Sequence, residues 1–216
     1  VKNSGTLGQK KGVNLPGVSV ALPALAQKDI EDLKFACREG LDYIAASFIR
    51  KASDVAAVRT VLDENGGENI KIISKIENQE GVENLEEIAQ FSDGIMIARG
   101  DLGIELPIWE LPVYQKRILE MAHLYGKPVV MATELMKSMV KSPFPTRAEV
   151  SDVFNSVMAR VDAVMLSDET AVGLYPVRTV EIMANTVQEG EKEIFDEHDD
   201  FDLLTDDATE QSKKGI

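Results

Sequence analysis

Residues 70–100 read IKIISKIENQEGVENLEEIAQFSDGIMIARG, and this stretch decides the fold. It begins with a short Ile-rich run, passes through GVENLEEIAQF (81–91), where apolar residues recur at three- and four-residue spacing, and ends on a second short apolar run, GIMIA (94–98). Short continuous apolar runs are strands covered on both faces, and the three- and four-residue spacing is one face of an amphipathic helix. Strand, helix and strand within about 30 residues make one parallel crossover unit.

The same alternation extends in both directions. Helical spacing recurs at 27–40, 51–65, 111–126, 146–160 and 175–195, and strand-like runs at LDYIAASF (41–48), KPVVMATE (127–134) and DAVMLS (162–167). Several helices close on Gly before the next strand, the usual C-terminal cap. About five apolar strands between amphipathic helices predict an α/β protein with a parallel sheet, either an open doubly wound sheet or a (β/α) barrel. The opening GTLGQKKGVNLPG (5–17) reads as turns or a short strand, and is not a phosphate-binding loop because it lacks the closing Gly-Lys-Ser/Thr. After about residue 195 the periodicity fades into an acidic stretch that reads as a linker. The final QSKKGI reads as the start of a further element, and Val1 in place of Met suggests a start further upstream.

The chain has 216 residues, 44% hydrophobic and 28% charged, with net charge -14. Much of that charge lies in EKEIFDEHDDFDLLTDDATE (191–210), with ten acids and one Lys. No basic stripe exists to neutralise phosphates, so nucleic acid is not an expected partner. No apolar run approaches the roughly 18 residues of a membrane span, and no secretory leader is visible. One cysteine, Cys37, leaves no disulfide scaffold and no Cys-based zinc site within the chain, and its helical spacing makes it a small core residue. A reducing, cytoplasmic setting follows most simply. His123, in a helical pattern, and His198, in the acidic stretch, read as structural or solvated.

Polar residues gather where strands end: Ser47, Lys75 and Glu77, Arg99 and Asp101, Thr133 and Glu134, and Ser167. A single strand must end in something polar, but five ending in hydroxyls, a Lys and carboxylates point to a site, because in a barrel all C-terminal strand ends meet on one face. Lys75 and Glu77 are two apart and so share a side. They form an ion pair, and Asp101 from the next strand adds a second carboxylate. Two carboxylates without His or Cys suit a hard, oxygen-preferring ion such as Mg2+, and Lys75 supplies a point charge for a developing anion. That set serves phosphoryl transfer or enolate chemistry. In ARGDLGIELP (98–107), Gly100 permits close backbone approach, and a helical turn after it would present free N–H groups to an anion such as a carboxylate.

GTLGQKKGVNLPG, ASFIRKASDV (46–55), ISKIEN (73–78), ARGDLGIELP, PTRAEVSDV (145–153) and MLSDETAVGLYP (165–176) resemble pyruvate kinase motifs, in the same order and at similar spacing. The resemblance covers residues 1 to about 195. It implies transfer of a phosphoryl group from phosphoenolpyruvate to ADP, giving pyruvate and ATP in glycolysis. It also implies a (β/α)8 barrel with a small inserted domain, here present only in part. Residues 1–17 would end the inserted domain, 18–195 would form the C-terminal part of the barrel, and 196–216 would link to a further domain. By the same resemblance Lys75 is the transition-state lysine, and Glu77 and Asp101 hold Mg2+ (or Mn2+). The Gly100 and Asp101 N–H groups and the Thr133 hydroxyl hold the substrate carboxylate, with Thr133 near the carbon that is protonated. K+ and several nucleotide contacts belong to earlier barrel strands outside this chain, and the full-length family is generally homotetrameric. Two positions depart from the pattern, Glu134 where Gln is typical and Asp168 where Gly is usual, and each adds negative charge near an anion site. Two other readings remain open from the residues: another Mg2+ barrel enzyme acting on phosphoenolpyruvate or pyruvate, such as an aldolase or lyase, and a truncated, non-catalytic interaction protein.

Overall fold

The computed structural model describes residues 4–6, 8, 9, 16 and 23–213, with side chains described through residue 195. Most of the opening segment 1–17 and the last three residues lie outside the described residues. The elements run α1 (Gln27–Glu39), β1 (Tyr43–Ala46), α2 (Ala52–Asp63), β2 (Lys71–Ile76), α3 (Gln79–Glu83), α4 (Leu85–Phe91), β3 (Gly94–Ala98), α5 (Arg99–Glu105) and α6 (Leu111–Leu124). They continue with β4 (Val129–Ala132), a 3-10 turn (Lys137–Val140), α7 (Arg147–Met158), β5 (Ala163–Met165), α8 (Asp168–Ala171) and α9 (Pro176–Lys213).

All five strands are parallel and their spatial order is the sequence order, β1-β2-β3-β4-β5. This decides between the two architectures left open by the periodicity, in favour of the barrel that the resemblance implies. Right-handed crossovers between strands laid down in unbroken order put every helix on one face, whereas a doubly wound sheet needs a reversal. The helices do line up on one side, α1 against α2, α2 against α4 and α4 against α6. A sheet wound in one direction buries its other face by curling toward a barrel, so the five strands are an arc of a (β/α) barrel.

Register makes the two faces explicit. Ile72 and Ile76 of β2, Ile95 and Ile97 of β3, and Val129 and Met131 of β4 point to the helices and are all but fully buried. On the opposite face, Lys75 pairs level with Met96, and Met96 with Val130. There Ala45 is exposed, and Ile73, Lys75 and Val130 are half-buried.

Local chemistry sets the helix ends. Gly40, with φ 65°, closes α1 in the left-handed conformation that Gly adopts without penalty. The Thr146 side chain accepts from the Glu149 N–H while Glu149 reaches back to the Thr146 N–H, a capping box that starts α7. Residues 81–91, read as one helix, are two: α3, capped by the Asn78 side chain on the Gly81 N–H, and α4, with the break at Asn84. α9 does not fade near residue 195. Its backbone stays helical to Lys213, through the acidic run, and no Gly or Pro interrupts 191–213. Cys37 is half-buried against the core, as its spacing implies, and His123 is an exposed residue near the end of α6 with Nε2 3.1 Å from the Arg160 carbonyl. No described helix is long and apolar enough to cross a membrane.

Candidate active site

β1 and β2 carry the first half of the site. Lys75, the penultimate residue of β2, places Nζ 2.9 Å from Glu77 Oε1 and donates to Ser47 Oγ at 2.8 Å. Ser47 lies two residues beyond Ala45 and Lys75 two beyond Ile73, and Ala45 and Ile73 are register partners, so the parallel pairing brings hydroxyl and amine level. The other Glu77 oxygen, Oε2, accepts the Phe48 N–H. Phe48 holds φ at 55°, a left-handed conformation disfavoured for a bulky residue, and that backbone turn aims its amide at the carboxylate.

Glu77 is 1% exposed. Burial pushes its carboxyl above the ordinary glutamate range; the Lys75 bond, the Phe48 N–H and the Lys75 charge pull it back, and the charge of Asp101 raises it again. A buried carboxylate whose neighbours leave it under-stabilised is suited to a further positive charge. Asp101, in the first turn of α5, is the second carboxylate bearing on that spot. No cluster of three or more His, Cys, Asp or Glu side chains able to hold a metal is present among the described residues. The Glu77 and Asp101 carboxylates are the groups here that could hold a cation, and two carboxylates without His or Cys fit Mg2+, which takes one or two carboxylates and fills its remaining positions with water and substrate oxygens.

β3 and β4 carry the second half. Thr133 follows β4 with φ 72°, and Glu134 follows with φ 57°. Thr133 Oγ1 accepts the Gly100 N–H at 2.7 Å and donates to the Ala132 carbonyl at 2.6 Å. A Cβ on Gly100 would stand 3.4 Å from Thr133 Oγ1, in ordinary contact, so the Gly100 backbone lies directly against the Thr133 side chain. Gly100 and Asp101 are consecutive, and they join this half to the carboxylate half.

The five residues singled out by the sequence thus fall into two adjoining groups, Lys75–Glu77 with Asp101, and Gly100–Thr133. Ser47 and Arg99, named from the sequence only as strand-end polar residues, gain roles here, and the Phe48 amide and Asp152, whose Oδ2 lies 2.7 Å from Arg99 Nη1, are new. Ser47 had a signal, its place level with Lys75. The Phe48 amide and Asp152, which comes from a helix 53 residues after Arg99, had none. Of the two departures, Glu134 is exposed, and Asp168 is met by Lys137 at 2.8 Å, so its charge is locally paired.

A model of the pyruvate kinase barrel domain matches residues 1–180. The chain belongs to the pyruvate kinase family. It is 54% identical over 194 residues to a pyruvate kinase of Clostridium acetobutylicum, covering 90% of this chain and 41% of that protein. It is 56% identical over 181 residues to one of Sporosarcina psychrophila, covering 84% of the chain and 31% of the relative. Against a human pyruvate kinase it is 52% identical over 195 residues, 90% of the chain and 34% of the relative. The chain therefore spans about a third to two fifths of the pyruvate kinases it matches.

Proposed function

We propose that this chain carries the phosphoenolpyruvate end of a pyruvate kinase active site, transferring a phosphoryl group to ADP with release of pyruvate and ATP. The observation that supports this most is the Lys75–Glu77 ion pair at a strand end, in which the Glu77 carboxyl is buried and raised by that burial and by the charge of Asp101. Lys75 presents a cation, held by Glu77 and Ser47, to the oxygens on which negative charge grows. Glu77 and Asp101 are the residues that would hold Mg2+ or Mn2+; such an ion supplies charge neutralisation and orientation of phosphoryl oxygens. The N–H groups at Gly100 and Asp101 and the Thr133 hydroxyl bind and orient the substrate carboxylate, the Gly100 N–H and the hydroxyl exchanging the bonds to Thr133 Oγ1 and the Ala132 carbonyl for it. Thr133 also stands where a proton is delivered to the enolate carbon. K+, several nucleotide contacts and the strands that close the barrel come from segments outside this chain, and the full assembly is a cytoplasmic homotetramer. On this reading 1–17 ends the inserted domain, 18–195 is barrel and 196–216 leads to the next domain.

Two arms of one assay test this. The described residues form five strands where barrel closure takes eight, and residues 1–216 alone should form pyruvate far more slowly than an intact pyruvate kinase. A hybrid in which the matched 194 residues of the Clostridium acetobutylicum pyruvate kinase are replaced by those of this chain should form pyruvate with Mg2+ and K+, strictly dependent on ADP. A folded hybrid without ADP-dependent turnover, or one that releases pyruvate without ADP, would overturn the proposal.

A further inference from the structure

The Thr133 peptide is held against its own preference. A β-branched residue at φ 72°, followed by Glu134 at φ 57°, persists only where surrounding contacts over-determine it. Two contacts are made by the Thr133 hydroxyl, to the Gly100 N–H and the Ala132 carbonyl, and one by its own carbonyl. That carbonyl accepts Arg99 Nη2 at 2.8 Å. The guanidinium is fixed in turn by Asp152 of α7, with Nη1 2.9 Å from Oδ1 and 2.7 Å from Oδ2. The Arg99 side chain is 11% exposed, and its Nε is buried without a partner among the described residues. A cation buried with one donor unmet is a poor choice for stability alone. Its geometry instead directs one fork arm at Asp152 and the other at a single strained peptide.

We infer that Arg99 and Asp152 form a positioning pair that sets the Thr133 hydroxyl, tying α7 to the substrate-carboxylate side of the site. This rests on the role proposed for Thr133. The pair touches no reacting atom; it acts through the Thr133 carbonyl. The planar fork matters, because a lysine ammonium cannot span Asp152 and the carbonyl in the same way. α7 is itself anchored at its start, where Glu149 accepts from the Ser138 N–H and hydroxyl, and it packs along α9. Displacement of α7 therefore reaches Thr133 through one ion pair.

The reporter is the Gly100 amide. It lies in the first turn of α5, where no intrahelical acceptor exists, and its partner is the Thr133 hydroxyl. Amide hydrogen exchange should be read residue by residue on the full 216-residue chain. Asp152→Asn and Arg99→Lys should each speed Gly100 exchange by roughly tenfold or more, toward the rate in Thr133→Val, while Ile72 and Ile97 amides keep theirs. Asp152→Glu, which keeps the charge, should restore much of the protection. Unchanged Gly100 exchange in both Asp152→Asn and Arg99→Lys overturns the inference. Loss of protection throughout the sheet in both also overturns it, since the pair would then hold the sheet and not one peptide. In the hybrid enzyme, Asp152→Asn should lower kcat and leave the KM for ADP unchanged. An inactive parent hybrid would sink the proposed function while leaving the exchange result to stand alone.

Discussion

Two carboxylates at opposite ends of the sheet, each within salt-bridge distance of a lysine, behave in opposite ways. Asp93, before β3, is partly buried, which alone would raise its carboxyl. The Ile72 N–H, Lys71 and Arg59 together outweigh burial and hold it below the usual aspartate range. Glu77, after β2, has one lysine and one backbone N–H, almost no exposure, and Asp101 as a like-charged neighbour, and it is raised. The N-terminal end of the sheet spends its charges on cohesion. The C-terminal end keeps an unfavourable carboxylate in place, which a fold built only for stability would avoid, and such perturbed groups mark functional sites.

The largest effect should follow a change at the C-terminal end. Lys75→Met in the hybrid enzyme should lower turnover by roughly a hundredfold or more, because it removes charge stabilisation used during transfer. Its urea midpoint should also fall, because the buried Glu77 carboxylate loses its partner, so turnover is compared per folded enzyme. Turnover within a few-fold of the parent would erase the contrast between the two ends.

At the N-terminal end the effect should be on stability. Asp93→Asn removes the negative charge and one of the two acceptor oxygens that serve Arg59, Lys71 and the Ile72 N–H, and should cost about 1–3 kcal/mol in urea unfolding at neutral pH. The sign with pH follows from its lowered carboxyl. The contribution is complete above the unfolded value of about 3.9 and is lost as pH falls through the folded value, so the mutant and parent curves converge in acid. Glu77 reverses this: its folded value is raised, so between about 4.3 and that value stability falls as pH rises, and Glu77→Gln should flatten that slope. Curves for Asp93→Asn that run parallel to the parent down into acid would refute the assignment.

A smaller effect belongs to Glu149, lowered despite partial burial by bonds from Ser138 and Thr146. Glu149→Gln should cost about 1 kcal/mol, the usual scale of a helix cap, above the unfolded glutamate value and progressively less as pH falls through the folded one. Turnover in the hybrid should be nearly unchanged. A loss of turnover greater than the loss of stability explains would place α7 closer to the chemistry than its cap implies.

The alternation of apolar strands and amphipathic helices was legible because each period is local, and the strand ends followed from it. That Lys75 and Glu77 face one way was legible from their spacing of two. Periodicity alone did not separate a doubly wound sheet from an arc of a barrel, since that depends on strand order; the motif resemblance implied the barrel, and the observed strand order agrees with it. The left-handed turns at Phe48 and Thr133 were also hidden, because neither residue type favours them; tertiary contacts from Glu77 and Arg99 impose them. Asp152 reads in the sequence as one more polar residue of an amphipathic helix, and only folding brings it to Arg99. The length of α9 was underestimated because a run of acids reads as solvated chain, although nothing in it breaks a helix.

The most direct test of the central claim is divalent-ion binding, measured with Mn2+ on the hybrid enzyme and three variants. Parent and Asp93→Asn should bind alike. Glu77→Gln and Asp101→Asn should each weaken binding by at least roughly tenfold, a loss that changes outside the ligand set can already produce, and the double variant should lose less than the sum because both act on one ion. Mn2+ binding in Glu77→Gln and Asp101→Asn equal to the parent's would contradict the account and leave the strand-end carboxylates as a buried ion pair.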